Sequence, residues 1–246
     1  METLADRIIG FNKSLDFTGK LPPGIRIMNP FRENEKVMAV SSAFYKKYYD
    51  DNDPRHLILG INPGRFGAGL TGIPFTDPKH LTGQCGIPYT GPLAHEPSSV
   101  FVYDMIRAFG GEAQFYRKFY ISAVCPLGFT NLSTNMNLSS SGGHDSVHPV
   151  VREVNYNYYD SKELTLCMHD FIVENLKTQL SFGVNREVCF CLGTGKNEKY
   201  LRDLNARYGF FQKIVALEHP RYIMQYKNKT KQDYIAKYME AFQQVL

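Results

Sequence analysis

Apolar residues recur every three or four positions in six stretches of the chain, the spacing that places them on one face of an α-helix. In the second stretch Lys46 and Lys47 lie opposite the apolar face, as in an amphipathic surface helix. Ser98 and Ser99 are expected to cap the third. The pattern predicts helices at residues 2–15, 35–50, 98–109, 162–180, 197–208 and 232–246.

Four short apolar runs lie between these helices, each about the length of a buried parallel strand. They cover residues 56–61, 119–124, 187–192 and 211–217. Helices therefore alternate with strands, and no repeat or change of composition divides the chain. We predict an α/β fold in one domain over residues 1–246, a three-layer α/β/α sandwich around a mostly parallel four-stranded sheet.

Two segments follow neither pattern and are predicted as loops. Residues 19–29 contain Pro22, Pro23 and Gly24, and residues 130–159 are rich in asparagine, serine and glycine. Loops as long as the second are uncommon in compact domains, and we expect its tip, residues 139–143, to be mobile.

The first predicted strand runs into a glycine-rich stretch, residues 57–75, which has glycine at positions 60, 64, 67, 69 and 72. Glycine lets a backbone approach a ligand closely and adopt positive φ angles. Asn62 stands where the strand ends, and ligands bind at the carboxyl ends of strands in open α/β sheets. We therefore expect a binding site here rather than a simple turn.

Two nucleotide-binding motifs are excluded. Residues 67–72 match the letters of the dinucleotide fingerprint, but Pro74 and Pro78 stand where its helix should run. Gly195 and Lys196 lack the upstream glycine and the following serine or threonine of a phosphate-binding loop.

The net charge and the cysteine content narrow the possible functions only slightly. The net charge of +4 is compatible with DNA binding and is common among other proteins. No apolar run has the length of a membrane span, and the acidic start is not that of a signal peptide. The five scattered cysteines indicate free thiols in a reducing compartment, rather than a disulfide framework or an iron–sulfur cluster. No metal or other cofactor is expected.

Six short motifs point to a family. They are residues 27–30 (Ile-Met-Asn-Pro), 60–64 (Gly-Ile-Asn-Pro-Gly), 66–67 (Phe-Gly), 71–75 (Thr-Gly-Ile-Pro-Phe), 125–129 (Cys-Pro-Leu-Gly-Phe) and 219–221 (His-Pro-Arg). In order and spacing they resemble the motifs of the uracil-DNA glycosylase superfamily, most closely its single-strand-selective monofunctional (SMUG) branch. The resemblance covers most of the chain from about residue 27 onward.

This resemblance implies a role for each matching residue. Asn62 would hold the attacking water, and His219 would donate a hydrogen bond to O2 of the departing pyrimidine. Phe75 would stack on the base, a contact worth about 1–3 kcal/mol. The implied substrate-binding residues are Ile61, Gly64, Phe66, Gly67, Phe75, Ser122 and Ala123, and the implied DNA-binding residues are Arg65, Pro220, Arg221, Tyr222, Met224 and Lys227.

The residue types also constrain the reaction. An asparagine amide has no useful pKa and can only orient water, so the reaction is expected to depend on departure of the base through an oxocarbenium-like sugar. No lysine at the motifs is suited to a Schiff base, since Lys79 and Lys227 only flank them. The expected product is an uncleaved abasic site.

Two positions depart from the family pattern. Ala123, beside Ser122, replaces the asparagine that usually reads the Watson–Crick edge of uracil, which opens room in the pocket. We therefore predict that uracil and another deaminated base, xanthine or hypoxanthine, are accepted. Arg65 stands where close relatives tend to have proline, and its contact remains open between phosphate, a base carbonyl and solvent.

Residues 221–227 are expected to form a loop that intercalates into DNA once a base has been flipped. The lysines at 227, 229 and 231 are placed to meet phosphates, although such a charge run is usually a hydrated surface. The side chains large enough to fill the vacated space are Arg221, Tyr222, Ile223, Met224 and Tyr226.

Two other functions remain open. A nucleoside or nucleotide hydrolase would use the same glycine-rich loop without bulky residues after His219, and a non-catalytic DNA-binding module would keep the fold alone. The expected partner is DNA, and the expected state is a monomer. The expected location is the cytoplasm of a prokaryote, with the nucleoid, or the nucleus of a eukaryote.

Overall fold

Helices and strands alternate along the chain, which a computed structural model describes for residues 2–136 and 149–246. The helices are α1 (Leu4–Ser14), α2 (Pro30–Glu33), α3 (Glu35–Tyr49), α4 (Ala68–Thr71), α5 (Pro78–Gly83), α6 (Pro97–Phe109), α7 (Glu112–Lys118), α8 (Lys162–Leu180), α9 (Lys196–Tyr208), α10 (Pro220–Tyr226) and α11 (Lys231–Phe242). The strands are β1 (Ile25–Met28), β2 (His56–Gly60), β3 (Phe119–Ala123), β4 (Gly128–Met136), β5 (Pro149–Tyr156), β6 (Asn185–Leu192) and β7 (Lys213–Leu217). Each predicted helix and strand is present, with its ends shifted by a few residues.

Local chemistry fixes several helix ends. Thr3 caps α1 in a capping box, in which its hydroxyl accepts from the Asp6 N–H while the Asp6 carboxylate accepts from the Thr3 N–H. Ser161 caps α8 by accepting from the Leu164 N–H. At the other end, α9 stops at Gly209, whose φ of +61° suits glycine.

Four strands form a parallel sheet in the order β3-β2-β6-β7. Gly60 pairs with Ala123, and Leu192 pairs with Leu217, so all four carboxyl ends lie along one edge. The predicted four-stranded parallel sheet is confirmed. The segments that follow β2, β3 and β7 are therefore brought together. These segments carry the motifs at residues 60–64, 125–129 and 219–221.

Helices cover both faces of this sheet, as two successive residues of β3 demonstrate. The Phe119 ring lies 4.5 Å from that of Phe242 in α11 and 5.4 Å from that of Phe109 in α6. The next residue, Tyr120, points to the opposite face, where its ring lies 5.8 Å from that of Tyr49 in α3. Because successive strand residues alternate between faces, the sheet is the middle layer of three, as predicted.

A second sheet was not predicted. It is antiparallel, in the order β1-β4-β5, and its strands lie largely within the two segments expected to be loops. The prediction of loops at residues 19–29 and 130–159 is therefore wrong for these strands. Glycine and asparagine weaken the strand signal of β4, and the strand forms because it pairs with a neighbour on each side. The expected mobile tip, residues 139–143, lies outside the described residues.

The segment expected to form an intercalating loop is instead the short helix α10. His219 is its N-cap and Pro220 its first residue, the position where proline is best tolerated in a helix. The cap of α6 is also shifted, because Glu96 occupies the N-cap position and Ser98 and Ser99 lie inside the helix. The short helices α2, α4, α5 and α7 were not predicted, because one or two turns carry too little periodicity.

The cysteines are free thiols, and four of the five are buried. Across the described residues no helix combines the length and hydrophobicity needed to cross a membrane.

Candidate active site

A cavity of about 460 Å³ opens at the carboxyl edge of the parallel sheet. Its walls come from the last residues of β2 and β3, from the segments after β2, β5 and β7, and from the start of α6. The lining residues are Gly60, Ile61, Asn62, Pro63, Gly64, Ala68, Pro74, Phe75, Glu96, Ser122, Ala123, Asn157, His219 and Arg221. Both predicted catalytic residues and five of the predicted substrate-binding residues are in this set.

The glycines at the end of β2 and in the segment after it serve mainly to let other side chains approach the backbone closely. A Cβ at Gly60 would lie 3.1 Å from two ring carbons of Phe75, and a Cβ at Gly67 would overlap the carboxylate of Glu96. Of the five glycines in the stretch, only Gly72, with φ of +71°, needs the left-handed conformation.

Phe75 has a φ of +54°, the one positive value at a non-glycine residue in the described parts of the chain. Such a conformation costs about 1–3 kcal/mol and persists where the surroundings impose it, often at functional sites. The half-buried ring packs above Gly60, and its centroid lies 5.5 Å from that of the His219 ring. The positive φ therefore accompanies a ring that forms part of the cavity wall.

The side chain of Asn62 is held in one orientation by the end of β5. Its Oδ1 accepts a hydrogen bond from the Tyr158 N–H at 3.1 Å, and its Nδ2 donates to the Tyr156 carbonyl at 3.2 Å. A side-chain carbonyl oxygen has two lone pairs, so Oδ1 keeps one acceptor site for a water molecule. The amide is thus preorganised to orient water and has no basicity to activate it.

A buried network supports this arrangement from below. The Tyr158 hydroxyl donates to Asn197 Oδ1 at 2.8 Å, and Asn197 Nδ2 donates to the carbonyls of Leu192, at 3.0 Å, and Gly60, at 3.4 Å. Asn197 thereby links the ends of β2 and β6 to the residue that holds Asn62. Its role was not predicted from the sequence.

His219 is a neutral hydrogen-bond donor in this site. Its Nδ1 accepts from the Arg221 N–H at 3.1 Å, so the ring proton is on Nε2. Burial, with a smaller effect of the Arg221 guanidinium, lowers the pKa of His219 to about 3. The helix N-terminus that the ring caps also disfavours a positive charge. An imidazole that donates through Nε2–H can stabilise negative charge on a departing group without being protonated.

Strand β3 ends in two small residues, Ser122 and Ala123. Ala123 stands at the position where the family pattern has an asparagine. Ser122 and Ala123 are buried, and both line the cavity. Both also line an adjoining cavity of about 380 Å³, which shares Pro63, Ala68 and Pro74 with the first. Only small side chains therefore stand between the two spaces.

Comparison with known proteins agrees with this geometry. The sequence model of the Uracil DNA glycosylase superfamily matches residues 46–243. The chain belongs to this superfamily. A crystal structure of wild-type SMUG2 from Pedobacter heparinus is 59% identical in sequence, with a TM-score of 0.91, over 99% of this chain and 98% of that one. A comparison with curated protein sequences found no match.

The resemblance to the superfamily and to its SMUG-type branch is thus confirmed. This glycosylase is an enzyme that acts on DNA, and the two other functions left open by the sequence are not favoured. Among the described residues, no group of His, Cys, Asp and Glu side chains is arranged to hold a metal ion.

Two polar residues that line the cavity of the glycosylase, Glu96 and Asn157, were missed by sequence reasoning. Glu96 has no motif around it, and its only local signal is the N-cap position before Pro97. Asn157 follows β5 and donates through Nδ2 to Asp160 at 3.4 Å. The available signal was the content of β-branched and aromatic residues in β5, three valines and a tyrosine, which indicates a strand that ends beside the site.

The predicted residues Phe66 and Arg65 lie outside the cavity of the glycosylase. The Phe66 ring is 48% exposed, and the Arg65 guanidinium lies 5.0 Å from its centroid. Arg65 also donates to Glu153 at 3.4 Å, and its N–H donates to Asn155 at 3.2 Å. Solvent is therefore not the sole contact of Arg65, which is tied to β5 at the rim.

On α10, exposure separates two groups of side chains. Tyr222 and Tyr226 are 42% and 64% exposed, with ring centroids 5.5 Å apart, and Arg221 and Lys227 are exposed as well. The other three side chains of the segment point inward: Pro220 and Ile223 are buried, and Met224 is half-buried against the core. The expectation that Ile223 is free to act as a wedge is wrong, because in a helix it faces the core.

Proposed function

We propose that this glycosylase hydrolyses the N-glycosidic bond of a deaminated base flipped into the cavity and leaves an uncleaved abasic site. One observation carries the proposal: Asn62 and a neutral His219 line the same cavity as the Phe75 ring. Within the described part of the chain no lysine lines that cavity, which favours hydrolysis by water over Schiff-base chemistry.

In the proposed reaction the base stacks on Phe75. Side chains at the rim of the cavity fill the space that the flipped base leaves in the DNA. His219 Nε2–H donates to O2 of the pyrimidine, so the hydrogen bond strengthens as negative charge grows on the departing base. Asn62 orients the water that captures the oxocarbenium-like sugar. The same groups would act on a purine, whose N3 occupies the place of O2.

We further propose that the pocket accepts xanthine or hypoxanthine besides uracil. Ala123 cannot make the amide contacts that discriminate between base edges, and it borders the adjoining cavity. A purine is larger than uracil by one ring, and this is the direction in which the described pocket offers additional space.

The test is release of labelled bases from single-stranded and duplex oligonucleotides carrying uracil, hypoxanthine, xanthine or thymine. The wild type is expected to release uracil and at least one deaminated purine, and Asn62→Ala and His219→Ala to lose both activities. Ala123→Asn is expected to keep uracil release and lose purine release. Strict uracil specificity of the wild type would reject the broader substrate range, and no base release at all would reject the hydrolysis.

We also propose that the glycosylase acts as a monomer on chromosomal DNA. That DNA lies in the nucleoid of a prokaryotic cytoplasm or in a eukaryotic nucleus. Sedimentation of the protein with and without an oligonucleotide tests the monomer, and imaging of a tagged chain in its native cells tests the location.

A further inference from the structure

The reaction releases a proton from water, and the cavity offers few groups to accept it. Of the side chains that line the cavity in the described structure, three titrate: Glu96, His219 and Arg221. The low pKa of His219 and its role as a donor make it a poor acceptor, and an arginine guanidinium is always protonated. Asn62 orients water without basicity. Among these lining side chains, the Glu96 carboxylate is therefore the one that can accept the proton.

Glu96 is held in position by two contacts. Its N–H donates to Asp77 Oδ2 at 3.0 Å, and its Oε2 accepts from the Ser99 hydroxyl at 3.2 Å. Ser99 Oγ in turn accepts from the Asp77 N–H at 3.1 Å. This triangle fixes both the backbone and one carboxylate oxygen of Glu96. Oε1 has no hydrogen-bond donor in the described structure and stays available.

Gly67, in the segment after β2, makes room for this carboxylate, and Gly64 lies near it. A Cβ at Gly67 would overlap it, and a Cβ at Gly64 would lie 3.7 Å from Glu96 Oε1 and 3.6 Å from Arg221 Nη2. The carboxylate thus lies against the backbone at Gly67, with Oε1 toward Gly64, on the wall of the cavity that Asn62 also lines.

We propose that Glu96 is the general base of this glycosylase. The C1′–N bond breaks with its electron pair going to the base, the water oxygen forms a bond to C1′, and the water proton passes to the carboxylate of Glu96. The resulting carboxylic acid then gives the proton to the departed base or to solvent. Asn62 orients the same water. This inference rests on the proposed hydrolysis and assigns its missing proton acceptor.

The charged groups around Glu96 set the pH range in which it acts. Burial raises the pKa of Glu96 to about 7, Asp77 acts in the same direction, and Arg221 and His80 oppose it. His95 is near as well, 3.7 Å from Asp77. A base of this strength is well matched to neutral conditions. Since the carboxylate is the active form, the rate is expected to rise with pH and level off above about 7.

The experiment measures single-turnover release of uracil from a single-stranded oligonucleotide between about pH 5 and about pH 9. Glu96→Gln keeps size and hydrogen bonding but cannot accept a proton, and Glu163→Gln, at an exposed position in α8, is the matched control. Loss of a general base is expected to slow Glu96→Gln by about 10²–10⁴-fold and to abolish the rise with pH. The control is expected to keep the wild-type rate and profile.

Two further measurements separate catalysis from folding and binding. Affinity for an oligonucleotide with a hydrolysis-resistant 2′-fluorinated uracil nucleotide is expected to be the same for wild type and Glu96→Gln. If Glu96→Gln fails to fold, Glu96→Ala is used with added formate, a small carboxylate that is expected to restore part of the rate. Glu96→Asp is expected to keep the pH dependence at a reduced rate.

A Glu96→Gln variant that keeps the wild-type rate and pH profile would overturn the inference. So would a loss of rate that is matched by a loss of affinity, with no change of pH profile and no rescue by formate. Both outcomes presuppose that the wild type releases uracil. If the wild type releases no base, the proposed hydrolysis itself fails, so the two failures are distinguishable.

Discussion

The Phe75 and His219 rings lie 5.5 Å apart, centroid to centroid, and are inclined at 53°. Phe75 comes from the loop after β2, in a backbone conformation that few side-chained residues adopt, and His219 is the N-cap of α10. A base that stacks on the first ring therefore has its edge within reach of the second. This relationship places the stacking surface and the hydrogen-bond donor on one cavity, and it makes both sensitive to substitutions nearby.

His219→Ala is expected to slow single-turnover release of uracil by about 10²–10³-fold, the usual cost of losing a donor to developing negative charge. Because its pKa is lowered to about 3, the wild-type His219 should remain neutral at about pH 5, in contrast to an exposed histidine. Imidazole nitrogen shifts measured by NMR check this state, with His169→Gln as the activity control. An imidazolium signal from His219 near neutral pH would contradict the assignment.

Asn62→Asp replaces the donor Nδ2 by a carboxylate oxygen, which then faces the carbonyl of Tyr156. Although a carboxylate is a stronger base, the variant is expected to lose the fixed orientation of the group. It should also lose about 1–3 kcal/mol of unfolding free energy, because a carbonyl is left without its partner. Chemical denaturation and base release measure the two effects, with exposed Asn228→Asp as control. Unchanged stability would show that β5 does not hold Asn62.

Gly60→Ala places a Cβ 3.1 Å from the ring of Phe75 and should tilt the ring away from the base. Stacking is worth about 1–3 kcal/mol per base, so we expect a loss of uracil release of up to about 100-fold. Gly10→Ala is the matched control, since nothing lies within 4 Å of its Cβ position. Wild-type activity in Gly60→Ala would argue against a fixed ring.

Tyr222→Ala combined with Tyr226→Ala removes the exposed aromatic pair of α10. A side chain that fills the gap left by a flipped base is needed in duplex DNA, where unstacking costs a few kcal/mol, and much less in a single strand. We therefore expect release from a duplex to fall by about tenfold or more, and release from a single strand to change little. Tyr208→Ala in α9 is the control, and an equal effect on both substrates would exclude a wedge.

Glu96→Gln is expected to stabilise the fold at alkaline pH. The pKa of Glu96 is raised from 4.5 to about 7, so between these values the folded chain binds the proton more strongly than the unfolded chain does. The wild type therefore loses stability as pH rises through this window, and glutamine removes that loss. Denaturation midpoints at about pH 5 and about pH 8 measure it, against Glu163→Gln. A wild-type carboxyl that costs no stability above neutral pH would contradict the raised pKa.

Much of the fold was determined by the sequence alone. Periodic apolar residues placed the six long helices and the four parallel strands, because those patterns report which face of a local element is buried. The alternation of helices and strands then indicated a parallel sheet, whose carboxyl edge gathers Asn62, Ala123 and His219. Motif positions at strand ends were enough to locate the site, because strand direction fixes where each chain segment emerges.

The tertiary structure decided the features that depend on partners distant in sequence. Pairing of β4 with β1 and β5, which local composition does not favour, delivers the backbone of Tyr156 and Tyr158 to Asn62. Packing likewise sets the orientation of Phe75, the protonation of His219 and the presence of Glu96 in the cavity. Positive φ angles and altered pKa values are imposed by surroundings that only the folded chain assembles, so no local sequence pattern encodes them.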